Sequence, residues 1–127
     1  MTDCELYAKF RSEIETMYAP YILKECKEKG HILSVTEDDK KVGLLVVNDG
    51  YVDGLYVLPE YRKKGYARKL VLEYVEKYGM LLDLHIMNTN TVARDFWESI
   101  FELEPMEINH IDTYYKIKSL KKGNTNS

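Results

Sequence analysis

The six residues from Arg62 to Ala67 are of the types best suited to binding an anion. The segment begins with three cations, and Gly65 follows them. It lies between an apolar run, Tyr51 to Leu58, that predicts a strand and a helical pattern that continues to Tyr78. A turn into a helix leaves the first backbone N–H groups unpaired, and the helix dipole favours negative charge there. The residues therefore predict a polyphosphate site, although a solvated basic surface remains an alternative.

Hydrophobic periodicity predicts two helices, three strands, a helix, a strand, a helix and two strands, in that order. Tight turns between the three strands indicate an antiparallel meander, whereas strand, helix and strand in succession imply one parallel pair. The expected fold class is therefore α/β (α+β), with a mixed, mainly antiparallel sheet flanked by helices. On the last of the four predicted helices the spacing places Val92, Phe96 and Ile100 on one face. The predicted bounds are 3–18 and 20–29 for the first helices, 31–35, 42–47 and 51–58 for the meander, a helix to 78, a strand 80–87, a helix 91–100, and a hairpin of 103–108 and 111–117.

Composition indicates one globular domain. With 127 residues, 45% hydrophobic and 31% charged, we expect a single domain over 1–120 and a polar tail over 121–127. No apolar run approaches the roughly 20 residues of a membrane span, and the N-terminus lacks the pattern of a signal peptide. Cys4 and Cys26 are typical of cytosolic thiols, so a cytoplasmic location is expected. A net charge of −3 argues against a nucleic-acid partner.

Two spaced motifs carry a resemblance to a known family. The first, Val57-x-Pro59-x-Tyr61-Arg62-x-x-Gly65-x-Ala67, resembles the acyl-CoA-binding signature of the GNAT acyltransferase superfamily. The turn differs from a Walker loop and from a dinucleotide-binding loop, because the residues that define those motifs are missing. The second, Asn90-x-x-Ala93-x-x-Phe96-Trp97-Glu98-Ser99, is similar to a helix of the same family. The order of elements also matches, except that the family's usual first strand is missing, so the resemblance covers roughly residues 31–118.

The resemblance implies an N-acetyltransferase that uses acetyl-CoA as co-substrate and a small-molecule or protein amine as acceptor. The amine would attack directly in a ternary complex. The reaction would take place in a cleft where the family's fourth- and fifth-type strands, predicted here over 51–58 and 80–87, splay apart. The backbone N–H of Leu55 would face the thioester oxygen, that of Val57 would pair with pantetheine, and Asn90 would bind the same arm. Homodimers are common in the family, so the resemblance leaves open whether this protein forms a homodimer. The predicted coenzyme-binding residues are Leu55, Tyr56, Val57, Arg62, Lys63, Lys64, Gly65, Tyr66, Ala67, Arg68, Asn90, Ala93, Phe96 and Trp97.

The predicted catalytic groups are His85, Asp53 and the backbone N–H of Leu55. A protonated amine must lose a proton before it attacks, and an imidazole suits that task near neutral pH. His85 stands where several family members carry a catalytic Glu, and Asp83 shares its strand face and could orient it. Asp53 shares a face with Leu55 by the period of two. Three alternatives remain open: a structural His85, a β-bulge at Asp53, and a water relay without a single base. No metal site is expected, because the cysteines lack ligand spacing.

Two departures from the family pattern leave a second function open. Trp97 stands where many members have the tyrosine that protonates the leaving thiolate, and Phe101-Glu102 replaces Gly-Phe. Indole N–H cannot supply a proton near neutral pH, so Trp97 is interpreted as a wall residue of the coenzyme channel. The alternatives are a catalytically degenerate acyl-CoA-binding module and an unrelated fold that binds another phosphate ligand.

Overall fold

The computed structural model describes Glu5, Leu6 and residues 30–121. The two predicted N-terminal helices therefore lie outside the described residues, apart from Glu5 and Leu6, which are helical. Leu6 is fully buried and belongs to the hydrophobic core. The tail after residue 121 also lies outside the described residues, so the domain bounds stay a prediction.

The described residues form six strands and two α-helices around one mixed sheet. The sheet order is β1-β2-β3-β4-β6-β5, and every neighbouring pair is antiparallel except β3 with β4. This confirms the predicted mixed, mainly antiparallel sheet flanked by helices. The elements are β1 (Gly30–Glu37), β2 (Lys40–Asn48), β3 (Tyr51–Val57), a 3₁₀ turn (Pro59–Tyr61), α1 (Tyr66–Tyr78), β4 (Asp83–Met87), α2 (Thr91–Ile100), β5 (Phe101–Ile108) and β6 (Asp112–Leu120).

The core forms on both faces of the sheet. All six residues from Val42 to Val47 are buried, as expected of a strand that is covered on both sides. Helix α1 buries Leu70, Val71 and Tyr74. It lies close to the sheet at Gly43, where an added Cβ would stand 2.8 Å from Val35 Cγ1 and 3.3 Å from Leu70 Cδ1. The missing side chain at Gly43 therefore sets how closely α1 packs.

Three sequence predictions need correction. The strand predicted over 80–87 covers only Asp83–Met87, because the chain leaves α1 and makes its first sheet bond at Leu82, whose N–H donates to Gly50 O (2.8 Å). In α2 the buried residues are Trp97 and Ile100, whereas Val92 is 80% exposed. The closing hairpin is also longer than predicted, since β5 begins directly after α2 and β6 continues to Leu120.

We expect Gly43→Ala to destabilise the protein by about 1–3 kcal/mol, because overpacking a well-packed core forces neighbours to move. Val35 is buried and has a stiff β-branched side chain, so it cannot rotate away from the added methyl group. Urea denaturation measures the change in the free energy of unfolding. In the double variant Val35→Ala/Gly43→Ala the overlapping methyl is gone, so the cost should be clearly smaller than the sum of the two single changes. Additive costs would contradict the close packing at Gly43.

Candidate functional site

The site begins where β3 and β4 diverge. Between these two parallel strands the register contains one pair, Tyr51 with Asp83. Beyond it, β3 is paired only with β2 and β4 only with β6. The facing edges of β3 and β4 therefore separate towards Val57 and Met87, which leaves a wedge-shaped gap in the sheet. This is the splay that the family resemblance implied.

The basic turn closes the β3 side of this gap. It contains two residues in left-handed conformation, Lys63 (φ 65°) and Gly65 (φ 84°). Gly65 is the N-cap of α1, and no side chain caps that helix end. The first turn of α1 also lacks acidic residues. The first N–H groups of the helix are thus available to an anion at the positive end of its dipole.

A cavity of about 680 Å³ connects the turn, the end of β3 and helix α2. Thirteen of the fourteen predicted coenzyme-binding residues line it. They are Leu55, Tyr56, Val57, Arg62, Lys63, Gly65, Tyr66, Ala67, Arg68, Asn90, Ala93, Phe96 and Trp97. Tyr61, Val92 and Ser99 also line the cavity and were missed, although Tyr61 and Ser99 stand inside the two quoted motifs.

Lys64 is the predicted coenzyme-binding residue that does not line the cavity. Its ammonium lies 5.2 Å from the centroid of the Tyr61 ring and 3.9 Å from Oε2 of Glu37. The second distance is too long for a hydrogen bond, so the attraction to Glu37 is Coulombic. A hydrogen bond to the same Glu37 raises the pKa of Tyr66 above its usual range, and desolvation adds to the effect. Glu37 thus places one negative charge behind the basic turn.

Arg62 holds the end of β3. Its Nε donates to Val57 O (2.8 Å), and its guanidinium carbon lies 5.4 Å from the centroid of the Tyr56 ring. A cation at this distance over an aromatic face is attracted to it. Arg62 therefore supports the strand end structurally as well as contributing charge to the cavity.

Helix α2 forms the opposite wall. Asn90 caps it, since Oδ1 accepts from the N–H of Ala93 (3.0 Å). Trp97 is 5% exposed and packs edge-on against Phe96, with 5.3 Å between ring centroids. A buried indole in this position fits the interpretation of Trp97 as a wall residue. The amide Nδ2 of Asn90 still has donors to offer, because capping uses only its oxygen.

His85 lies outside the cavity wall in a polar cluster on the exposed face of β4. Tyr51 Oη is 2.8 Å from His85 Nδ1, and the His85 and Tyr114 rings are 4.9 Å apart between centroids. The Tyr114 hydroxyl donates to Asp83 Oδ2. The orienting partner of His85 is therefore Tyr51, whereas the sequence suggested Asp83.

Asp53 also lies outside the cavity wall. Val52 and Gly54 stand opposite the consecutive residues Val47 and Val46, which places a β-bulge at Asp53. A bulge redirects side chains, so the period-of-two argument for Asp53 weakens here. Leu55, two residues later, does line the cavity.

Two absences hold for the described residues: a cluster of metal ligands and a membrane-spanning helix. Nowhere in this part of the chain do three His, Cys, Asp or Glu side chains gather as metal ligands would. In residues 30–121, and at Glu5 and Leu6, no helix combines the length and the apolar character needed to cross a bilayer.

The chain thus combines a mixed sheet, opened between β3 and β4, with a basic turn that contains Gly65. The model of the acetyltransferase (GNAT) family matches residues 4–102, so the chain belongs to this family. None of the curated protein sequences matches it significantly.

Solved structures show the same fold at low sequence identity. Arabidopsis thaliana NAA60 in complex with a bisubstrate analogue has a TM-score of 0.67 and 18% identity, and the match covers 91% of this chain and 90% of that one. For the same protein with acetyl-CoA the TM-score is 0.63 at 16% identity, covering 91% and 92%. For the paia N-acetyltransferase from Thermoplasma acidophilum with coenzyme A the values are 0.58, 19%, 93% and 80%.

The polar cluster gives a pH-dependent prediction. The hydrogen bond to Asp83 is the largest cause that raises the pKa of Tyr114 above its ordinary value of 10.0. The folded protein thus favours the neutral phenol, and this contribution to stability is lost as pH rises through the raised pKa. In Asp83→Asn the pKa of Tyr114 should fall towards its ordinary value. The measurement is an absorbance titration of the phenolate, taken as a difference from the same protein with Tyr114→Phe.

The matched control is Asp95→Asn, because Asp95 is exposed on α2. It should leave the Tyr114 titration unchanged. An equal pKa for Tyr114 with and without the Asp83 carboxylate would contradict the assigned hydrogen bond.

Proposed function

We propose that this chain is an N-acetyltransferase that transfers the acetyl group of acetyl-CoA to an amine by direct attack in a ternary complex. The observation that carries the proposal is the cavity, whose facing walls bring together thirteen of the predicted residues from two separate stretches of the chain. Its volume of about 680 Å³ lies within the range typical of cofactor pockets. Family membership and the NAA60 and paia complexes with acetyl-CoA and coenzyme A support this choice of co-substrate.

The coenzyme would lie along the gap between β3 and β4. Its diphosphate would accept hydrogen bonds from the N–H groups of Lys63 to Ala67, where the αL conformation of Gly65 opens the turn. The pantetheine arm would pair with the backbone of Val57 and with the amide of Asn90. The acetyl thioester would then reach Leu55, whose N–H would stabilise the oxyanion.

His85 is our choice of general base because its Nδ1 has a fixed partner. When Nδ1–H donates to the Tyr51 hydroxyl oxygen, Nε2 carries the lone pair and can accept a proton. The same hydrogen bond persists after protonation, since the imidazolium donates from both nitrogens. Asp53 and a water relay remain the alternatives for this step.

The reaction then balances without any further group. The ammonium gives a proton to Nε2 of His85, directly or through a water molecule. The nitrogen lone pair forms a C–N bond at the thioester carbon, and the oxyanion collapses to break the C–S bond. The thiolate leaves unassisted, because Trp97 cannot protonate it. The amine loses its second proton to solvent.

The proposal also includes the domain bounds, the location of the protein and the class of acceptor. We propose a single acetyltransferase domain over 1–120 in the cytoplasm, with a small-molecule or protein amine as acceptor. The proposal is compatible with a monomer or a homodimer.

Coenzyme binding should depend on Gly65 more than on a matched glycine at the other end of α1. Gly65 and Gly79 both have positive φ, and a Cβ at either would meet no atom within 4 Å. Gly65→Ala and Gly79→Ala should therefore each lower stability by about 1 kcal/mol. Only Gly65→Ala should weaken CoA binding, by roughly tenfold, because it alters the N–H groups that face the diphosphate.

The fluorescence of Trp97, which is the chain's one tryptophan and lies on the cavity wall, measures this affinity. Thermal stabilisation by CoA but not by ATP or NAD distinguishes the coenzyme from other phosphate ligands. Equal loss of CoA affinity in both variants would contradict a diphosphate at the turn.

Turnover should depend on His85 and Tyr51. His85→Gln keeps hydrogen-bonding capacity but removes the base, so thiol release from acetyl-CoA with an active amine should fall about 100-fold or more. Tyr51→Phe should lower kcat less, because it removes the orientation and not the base. Both should bind CoA normally, and His31→Gln on β1 serves as the matched control. If the unaltered protein binds CoA but releases no thiol across an amine panel, the acyl-CoA-binding module is the better assignment.

A further inference from the structure

The basic turn lies between two hydrogen-bonded segments of backbone. Before it, the N–H of Arg62 donates to Pro59 O (3.4 Å). After it, the N–H of Lys69 donates to Gly65 O (3.0 Å). Between them, Lys63 has a left-handed conformation (φ 65°), which a residue with a side chain adopts only at a cost in free energy. Contacts from outside the turn are therefore needed to hold this conformation.

The end of the β1–β2 hairpin supplies such contacts. β1 ends at Glu37 and β2 begins at Lys40, and these two residues are paired in the register. The residues between them, Asp38 (φ 54°) and Asp39 (φ 61°), are both left-handed, as a type I′ hairpin turn requires. Because such a turn matches the twist of its strands, it fixes the backbone from which Glu37 and Lys40 extend.

Side chains of the hairpin end contact the basic turn and the residue before it. The Glu37 carboxylate accepts the hydrogen bond from the Tyr66 hydroxyl, and its Oε2 lies 3.9 Å from Lys64 Nζ. The ammonium of Lys40 lies 5.9 Å from the centroid of the Tyr61 ring, on which Lys64 also packs. Tyr61 and Tyr66 both line the cavity. The hairpin end is therefore in contact with residues of the cavity wall.

The Glu37 carboxylate occupies a costly position among these contacts. Its side chain is 31% exposed, but Oε2 is buried and has no hydrogen-bond partner among the described residues. A buried carboxylate oxygen without a hydrogen bond is unfavourable, and the Lys64 ammonium offsets this only by Coulombic attraction. A smaller or apolar side chain would avoid the cost. Stability alone therefore does not explain a carboxylate at this position.

We propose that Glu37 is a positioning residue for the coenzyme, which holds Tyr66 and Lys64 from the outer side of the basic turn so that the N–H groups of the turn face the cavity. The proposal rests on the proposed function, because it takes the turn as the diphosphate site. Tyr66 is the first residue of α1 and lines the cavity, so holding its side chain also holds the start of that helix. A site that is already in its binding conformation loses less freedom when the ligand binds, and its affinity is higher.

The negative charge of Glu37 by itself has the opposite effect on affinity. A carboxylate near a diphosphate repels it, so loss of the charge alone should tighten CoA binding, whereas loss of a positioning contact should weaken it. Asp38 provides the matched control, because it is exposed and acts on Tyr66 only through its charge. Asp38→Asn removes one negative charge at the next residue, and asparagine tolerates the left-handed conformation.

Calorimetric titration with CoA compares these variants. Glu37→Ala should weaken binding by about tenfold, and Tyr66→Phe by a similar factor. The double variant should be about as weak as either single one, because both changes remove the same hydrogen bond. Glu37→Gln keeps an acceptor for the Tyr66 hydroxyl and should stay within about threefold of the unaltered protein. Asp38→Asn should bind CoA equally well or slightly more tightly. In turnover, Glu37→Ala should raise the KM of acetyl-CoA and leave kcat nearly unchanged.

A second measurement tests the contact without any coenzyme. In Glu37→Ala the pKa of Tyr66 should fall towards its ordinary value of 10.0, because the hydrogen bond to Glu37 is the largest cause of its rise. The phenolate absorbance is taken as a difference from the same protein with Tyr66→Phe. Because Tyr66→Phe removes one oxygen atom and keeps the ring, it also tests the positioning role if Glu37→Ala does not fold.

The two proposals fail in different ways. If CoA binds the unaltered protein, but Glu37→Ala and Tyr66→Phe bind it equally well or more tightly, the positioning role is wrong and the coenzyme site stands. An unchanged pKa of Tyr66 in Glu37→Ala also overturns the positioning role. If CoA does not bind the unaltered protein, the proposed function falls, and the role of Glu37 falls with it.

Discussion

The separation of β3 from β4 after one parallel pair, Tyr51 with Asp83, is the constraint on which the rest of the structure depends. Each strand is held on its outer side, β3 by β2 and β4 by β6, so the gap does not close. An interior strand edge carries backbone groups that cost free energy if they are buried without partners. The gap therefore has to be filled by water or by a molecule that offers amides and carbonyls in the right order. Under the proposed function, residues 55–57 on the cavity wall would provide the backbone for that pairing.

The two helices that border the gap differ in how the unpaired backbone N–H groups of their first turns are capped. Helix α2 satisfies its first turn with its own side chain, since Asn90 accepts from Ala93. Helix α1 has Gly65 at the same position, no side-chain cap and no acid in its first turn. Acids and capping oxygens are the usual stabilisers of a helix start. Their absence at α1, beside a basic turn, leaves a positive end whose natural partner is a ligand anion, whereas α2 serves as a wall.

Thirteen of the fourteen residues that the family resemblance assigned to the coenzyme line one cavity, because they come from two contiguous stretches of the chain whose backbone conformation is local. Residue types and spacing predicted the strand, the basic turn and a helix after it, whereas the list of coenzyme-binding residues came from the family resemblance. The exception, Lys64, follows a left-handed residue, Lys63, and its position beside Glu37 depends on where the end of β1 packs. Spacing within the turn does not contain that information.

The polar cluster around His85 was harder to predict for the same reason. The partner of His85 depends on the register of β3 against β4 and of β4 against β6. Period two places Asp83 on the same strand face, but the sheet brings Tyr51 to His85 and gives Asp83 to Tyr114. The bulge at Asp53 is likewise a property of the β2–β3 pairing. Cross-strand contacts of this kind need the sheet, whereas the adjacent residues of one motif do not.

The surface that would hold the thioester is distinct from the surface that carries groups able to accept a proton. The cavity side is lined by apolar rings and by the cations of the turn, and it contains the buried indole of Trp97, which cannot act as an acid near neutral pH. The titratable cluster of His85, Tyr51 and Tyr114 lies on the exposed face of β4, outside that wall. A thioester held in the cavity would thus be kept from groups that could hydrolyse it. An amine would approach from the side where its proton can be accepted. Leu55 lies on the cavity wall two residues after Asp53, so under the proposed function the reacting carbon would lie near this point of β3.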